Sequence, residues 1–371
     1  MSESMKRWDA VVVGGGLAGS AAALRLAKHG RNVLLLEKEA TAHDKVCGEF
    51  ISSEAQHYLR EFGLDLTKLG SVPIANIRLI RGQKFASAKL PFDALSLSRN
   101  VLDEAMLLRA QGYGVHIWRG AEATAIVKEP QGSRVTVAGH DVVLADAVFL
   151  ATGKHDLRGW RRKGGMQNDF IGFKMHVQLA SAQKTALHGY VELTLFKGGY
   201  AGLEPVEGGK ANLCLVVTKH HFAMFGKSWN GLLDAILKAT PLLAERLAGS
   251  EPCWPRPLSI FGIPYGFVYR TSSEAVAGLY RLGDQMAVIP SFCGYGMSIA
   301  LHTASLAVEC YLHSDANTYH RNARSDLQPL IRRTSFLSKM ANYPLAQQGM
   351  LLACQIRPEL MTIIATHNRI R

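Results

Sequence analysis

The sequence predicts an α/β fold in which a covered parallel sheet is interrupted along the chain by a second, mostly antiparallel β domain. Three observations predict it: a strand, glycine turn, helix and strand at the amino end; a change near Phe170 to alternating strand patterns; and a further buried strand at Leu279 that resumes the first style. A chain of 371 residues, 48% hydrophobic and 19% charged, is long enough to bury the cores of both parts.

Residues 10–13 form a β-branched run that turns at Gly14-Gly15-Gly16 and passes into 17–29, apolar at helical spacing and stopped by Gly30. Residues 33–36 are a second buried strand, which completes a βαβ unit whose parallel strands need cover on both faces. Residues 74–89 alternate and predict one or two strands, 100–111 predict a helix beginning just after Arg99, and 115–150 predict several short strands. Residues 147–153 return to the first sheet and end at its carboxyl edge, where ligands bind in such folds. Strands at 172–179, 190–196 and 211–217, one helix over 232–248 and a Pro-rich exit at 252–264 make the second domain. Residues 279–284 then lead into a long helix over 296–312. The expected boundaries are 1–73, 96–165 and 271–328 for the first domain, 74–95 and 166–270 for the second, and 329–371 for a C-terminal helical segment.

The six cysteines stand apart with no C-x-x-C pair, so neither a zinc knuckle nor a disulfide framework is expected, and no metal site is. Residues 1–9 are polar and the apolar run after them is broken by glycines, which fits no signal peptide and leads to the expectation of a cytoplasmic protein. Residues 285–308 lack charge but hold Pro290, Gly294, Gly296 and His302, so a buried loop and helix are expected there and not a membrane span. The net charge of +12 suits anionic ligands, phosphate cofactors or acidic surfaces. From residue 329 onward Glu359 is the single acid among Arg332, Arg333, Lys339, Arg357, Arg369 and Arg371, interleaved with apolar residues. That segment either lies peripherally on a membrane or packs over the core with a solvated basic face. There is no Ser-His-Asp order, H-E-x-x-H or nucleic-acid signature.

In Gly14-Gly15-Gly16-Leu17-Ala18-Gly19 the first glycine allows the turn, the second lets backbone approach a pyrophosphate, and the third lets helix pack on strand. Glu37, 23 residues after Gly14 and followed by Lys38, suits ribose hydroxyls and would repel a 2′-phosphate, favouring FAD or NAD over NADP. Two later segments extend the pattern. Gly283-Asp284 leads to Pro290-Ser-Phe-Cys-Gly294-Tyr-Gly296-Met297, and Arg99 stands just ahead of a helix in Leu97-Ser-Arg99-Asn-Val-Leu-Asp103.

With Lys45-Val-Cys47-Gly48-Glu49, these segments resemble the p-hydroxybenzoate hydroxylase and geranylgeranyl reductase families of FAD-dependent oxidoreductases, over roughly residues 8–312. The resemblance implies a Rossmann-like FAD domain of the GR2 type, with a discontinuous path, and a substrate domain covering the flavin. It implies FAD contacts at Gly14, Gly15, Gly16, Ala18, Gly19, Glu37, Lys38, Lys45, Cys47, Gly48, Glu49, Arg99, Ala123, Thr152, Gly153, Gly283, Asp284, Gly294, Gly296 and Met297. Arg99 would lie near the phosphates, or be a surface cap. Cys47 would tune the flavin or gate substrate, or be inert packing.

Two departures stand out. Gly202 and Glu204 replace the Trp and Phe of the reductases' Y-x-W-x-F-P signature, which begins here at Tyr200, and Lys154-His155-Asp156 replaces the hydroxylases' A-D-G. The W-x-W-x-I-P motif of flavin halogenases is absent. Catalytic candidates are Cys47, Tyr200 and His176, with Glu204 and His302 as further acid/base candidates. The expected activity is monooxygenation of a lipophilic or aromatic metabolite through a flavin hydroperoxide, with NAD(P)H or a separate reductase as electron donor. The alternatives are reduction of carbon-carbon double bonds and electron transfer to a partner.

Overall fold

The computed structural model describes residues 7–271 and 277–367; Arg369 and Arg371 lie outside them. Two sheets carry the architecture, and the chain passes between them several times. The first begins with β1 (Arg7–Val13), α1 (Leu17–Lys28) and β2 (Val33–Glu37), with β1 and β2 parallel. Helix α1 forms because 21–23 is an alanine run followed by Leu24 and Leu26, all without solvent exposure. Gly30, at φ 72°, turns the chain back toward the sheet.

The chain then crosses to the second sheet. Strand β3 (Phe50–Ile51), helix α2 (Ser53–Glu61) and the hairpin β4 (Val72–Arg81) and β5 (Lys84–Ser96) follow, with β3 and β4 both paired to β5. Thus residues 50–51, 72–73 and 96, expected in the first domain, are strand residues of the second sheet. Helix α3 (Arg99–Gly112), capped by the Ser98 hydroxyl accepting from Val101 N, returns the chain. Strands β6 (His116–Arg119), β7 (Ala123–Glu129), β8 (Gly132–Val137) and β9 (Val143–Leu150) complete most of the first sheet in the order β6-β2-β1-β9-β8-β7.

The second sheet grows through β10 (Gln167–Gln178), helix α4 (Ser181–Leu187), β11 (Tyr190–Phe196), β12 (Gly199–Pro205) and β13 (Ala211–Thr218). Its pairs are antiparallel except β11 with β4. One face buries Ile171, Phe173, Leu213 and Leu215 under α5 (Lys219–Met224), α6 (Trp229–Ala239) and α7 (Pro241–Leu247). The single helix expected over 232–248 is two, because Thr240 leaves helical geometry and Pro241 starts a new helix at its first position. The Pro-rich exit holds two strands, β14 (Glu251–Pro252) and β15 (Leu258–Tyr265), both paired to β10.

Strand β16 (Leu279–Arg281) re-enters the first sheet parallel to β9, and α8 (Gly296–His313) lies against α1. Helix α9 (Ala316–Met340) runs through Pro329, so the boundary expected at 329 falls inside a helix. Helices α10 (Pro344–Ile356) and α11 (Glu359–His367) lie over β4 and β5. Among the described residues, no helix is long and apolar enough to cross a membrane.

His320 of α9 accepts the Arg281 N–H at 3.3 Å through Nε2, and burial followed by the nearby Arg281 charge lowers its pKa to about 4 from 6.5. The unfolded chain therefore takes up this proton first, and stability present above pH 6.5 should fall as pH drops toward 4. The loss is on the order of 3 kcal/mol at full titration. His320→Gln should flatten that acid limb in urea unfolding series; an unchanged limb would show that His320 is not its source.

Candidate functional site

The glycine turn sets the geometry of the site. Gly14 has φ 106°, and a Cβ there would come within 2.5 Å of Ala151 O, so the turn is pressed against the end of β9. A Cβ on Gly19 would overlap Gly14 O, which keeps α1 close to β1. Gly15 N donates to Glu37 Oε2 at 2.7 Å, fixing the acid at the end of β2 beside the turn. Gly16, the residue before α1, is different: a Cβ there would meet Lys45 Nζ at 3.4 Å and Arg99 Nη2 at 3.7 Å.

Arg99 grips Asp103 with a two-point fork, Nε to Oδ1 at 2.8 Å and Nη2 to Oδ2 at 2.9 Å, and Lys45 Nζ donates to the same Oδ2 at 2.8 Å. Burial works to raise the Asp103 pKa, but the two cations hold it below the usual carboxylate range. Two cations for one carboxylate leave a positive surplus at the amino end of a 12-residue helix, which suits a pyrophosphate. A cleft lined by Gly15, Glu37, Lys45, Asp103 and Arg119 continues from this point. Lys38 instead pairs with Glu39 at 3.6 Å on the surface. Ala18 lies buried in α1, and Ala123 is buried at the start of β7 opposite Val137.

Across the turn, Thr152 Oγ1 donates to His155 O at 2.6 Å, and Gln285 Nε2 donates to Gly153 O at 2.9 Å and His155 O at 3.0 Å. Gly283, at φ 55°, donates its N–H to Thr303 Oγ1, and Arg162 Nη1 donates to Asp284 O. Gly294, at φ 73°, ends a short turn of 3-10 helix beside Phe50, and Gly296 opens α8 with Met297 buried behind it. A Cβ on Gly48 or Gly296 would meet no described atom within 4 Å. The backbone on these two sides of the junction thus borders open space, and the cationic turn with its fixed Glu37 is the part of this region whose donor set suits a dinucleotide.

The segment from Asp44 to Glu49 bridges the two sheets. Glu49 sits at φ 64° with no exposure; its Oε1 accepts from Arg99 N at 2.8 Å and from Lys174 Nζ, and its Oε2 contacts His176 Nε2 at 2.7 Å. Lys174 also reaches Asp44 Oδ1 at 3.0 Å. Although burial acts to lower it, Glu49 and Asp44 hold the Lys174 ammonium above its ordinary pKa. Asn212 Nδ2 donates to Cys47 O at 3.0 Å, and the Cys47 sulfur accepts from Glu49 N at 3.4 Å.

Strand register explains this grouping. His176 pairs with Asn212 and Asn212 with Glu204; the next row is Lys174, Cys214 and Gly202; Tyr200 pairs with Val216 beyond. Alternation puts all of these on one face of the sheet. Glu204 is buried, and neither oxygen makes a well-formed hydrogen bond among the described residues, although the Ser96 hydroxyl is near enough to lower its pKa. Burial first, and the Glu49 charge second, push its carboxyl well above the usual range and favour its neutral form. The Cys214 thiol is pushed up to about 12, by burial above all. Tyr200, whose hydroxyl likewise makes no well-formed hydrogen bond among the described residues, has its ring edge-on to Phe292 at 6.0 Å, and Tyr265 bonds Ser291 at 2.5 Å nearby.

Several expectations change. His176 bonds Glu49 through Nε2 and its ring lies tilted 4.9 Å from that of Trp254, so it helps position the Glu49 segment. Both oxygens of the Glu49 carboxylate are engaged, by Arg99 N, Lys174 and His176, and tie the domains together. His302 lies elsewhere, between Tyr58 of α2 and Asp326 of α9 at 3.1 Å from each. Lys174, Asp44 and Asn212 were missed as site residues. The available signal was Lys174, a charge two residues before His176 in an otherwise apolar alternating strand.

Residues 9–65 match the family described as FAD dependent oxidoreductase. The chain is 27% identical over 314 residues to digeranylgeranylglycerophospholipid reductase 2 of Methanopyrus kandleri, covering 81% of this chain and 76% of that one. It is 24% identical to the menaquinone reductase of Mycobacterium tuberculosis, with the same coverage. Among solved structures, the flavin-dependent brominase Bmp2 superposes with a TM-score of 0.79 at 17% identity, over 97% of this chain and 93% of that one, a likeness of fold.

Two outcomes follow from the geometry. Arg99→Gln should weaken FAD binding roughly tenfold to a hundredfold, as measured by flavin fluorescence titration; unchanged affinity would place Arg99 outside the phosphate contacts. Lys174→Met leaves Glu49 buried without its ammonium and should cost about 3–5 kcal/mol in chemical denaturation. The Glu49→Gln/Lys174→Met pair should cost less than the two single changes summed, and simple additivity would mean that the ion pair is not coupled.

Proposed function

Because this chain is an FAD-dependent oxidoreductase, we propose that it reduces an activated carbon-carbon double bond, one conjugated to a carbonyl, in a lipophilic substrate. The observation that carries this reading is Glu204, a buried carboxyl pushed toward its neutral form, with no well-formed hydrogen bond among the described residues. FAD, held by the glycine turn, Lys45, Arg99 and the 283–297 segment, supplies hydride-transfer chemistry when bound.

Reduction of a double bond adds two electrons and two hydrogens, one of which must arrive as a proton. Glu204 would hold such a proton in a dry site, where the Lys174 ammonium offsets part of the negative charge left when the proton departs. Asn212 Oδ1, without a partner among the described residues, and the Glu204 O–H give the same row one acceptor and one donor for a polar end of substrate. Farther along the same face, Ile77, Leu79, Leu193 and Leu195 form an apolar floor under Leu351 of α10 and Met361 of α11. The floor suits the apolar remainder of the molecule and excludes water from the reacting carbon atoms.

The two reductase relatives favour this reading over hydroxylation. The replacement of an aromatic position by Glu204 favours a polar, conjugated acceptor over an isolated prenyl double bond.

The test is anaerobic. Protein reduced with dithionite and mixed with a panel of lipophilic enones should be reoxidised by one of them without oxygen, giving a product two hydrogens heavier in which the carbon-carbon double bond is saturated. Glu204→Gln should keep its FAD but slow that step by about 10²–10⁴-fold. Reoxidation that waits for oxygen, with an oxygen atom in the product, would establish hydroxylation and overturn the proposal.

A further inference from the structure

The last three helices carry a surface that the core does not explain. Helix α10 buries Gln347, Leu351 and Cys354 toward the second sheet, yet its opposite side is apolar too: Leu345 is 82% exposed, Leu352 58% and Ile356 71%. Spacings of seven and four residues put these three on one stripe. The end of α9 repeats the arrangement, with Phe336 63% exposed and Met340 also in solvent, and Tyr343 follows in the turn between the helices, likewise exposed. A helix on the surface of a globular protein normally turns polar residues outward.

The charges carried by this segment are mostly positive. Arg332, Arg333 and Lys339 share the exposed side of α9 with Phe336 and Met340, and exposed Arg357 follows α10. Glu359 is the one acidic residue between 329 and 367.

We infer that this face, built from the end of α9 and the outer stripe of α10, docks on an anionic lipid surface. Cations interleaved with large apolar side chains meet both requirements of such a surface: attraction to acidic headgroups and shallow insertion at the acyl boundary. A second copy of this chain would bring the same positive charge to the contact and is disfavoured. The phosphates of a nucleic acid would answer the arginines but leave Leu345 and Ile356 against water. Insertion across the membrane is ruled out for the described helices by their length and polarity.

Docking on this face has a structural consequence for the site. The inner side of α10, through Leu351 and Cys354, packs in the same cluster as Leu79, Leu195 and Tyr200, so one helix separates the lipid surface from the apolar floor. If the double-bond reading holds, the bilayer is the reservoir of its lipophilic substrate; that clause rests on the reading, and the docking does not.

The experiment uses the full chain with FAD bound and no substrate. It is sedimented with vesicles of phosphatidylcholine alone and of phosphatidylcholine mixed with phosphatidylglycerol. Binding should be at least tenfold tighter to the mixed vesicles and weaken as salt is raised. Leu352→Ser/Ile356→Ser and Arg332→Gln/Arg333→Gln should each reduce it roughly tenfold or more, with bound FAD confirming the fold. Equal binding by wild type and both variants, or no binding to either vesicle, would overturn the inference. So would a dimer in size-exclusion chromatography that Leu352→Ser/Ile356→Ser abolishes, since the face would then be a contact between copies. Because no substrate is present, loss of docking and loss of the reductase reading are separate results.

Discussion

One buried carboxylate holds the two halves of the molecule in register. Glu49 arrives on a segment from the first domain and accepts at once from the backbone of α3 and from Lys174 on the second sheet, with His176 against its other oxygen. It does so in a left-handed conformation that a non-glycine residue adopts only when its surroundings compel it. A lone carboxylate in that place would cost several kcal/mol in desolvation. The ion pairs offset this only if both sheets are present and correctly spaced, and Cys47 and Gly48 inherit their positions from the same condition.

The same sheet face changes character along its length. Near the Glu49 segment it is charged and hydrogen-bonded, through Lys174, His176, Asn212 and Glu204; beyond Tyr200 it is aliphatic, through Leu195, Leu193 and Leu79. A molecule lying along it would meet a proton donor at one end and a dry wall at the other. Specificity in such a site comes from the distance between the two ends more than from any single contact.

Much of the fold could be read from the residues themselves because its signals are local. The glycine turn, the alanine-rich α1 and the alternating strands each declare themselves within a dozen residues. What could not be read depends on partners far apart in sequence. The pairing of Glu49 with Lys174 needs strand register to be known. His302 looked available because its helix follows a glycine loop, whereas α2 and α9 enclose it. The break at Thr240 had a legible cause in Pro241, and the helical period on both sides concealed it.

The chain path also sets an order of events during synthesis. Asn76 of β4 pairs with Tyr190 of β11, and Val148 of β9 waits for Leu279 of β16. Each sheet therefore receives a strand made after the chain has visited the other, which gives both high contact order. It also follows that no single cut of the chain separates one sheet from the other, since the strands of each are split by segments of its partner.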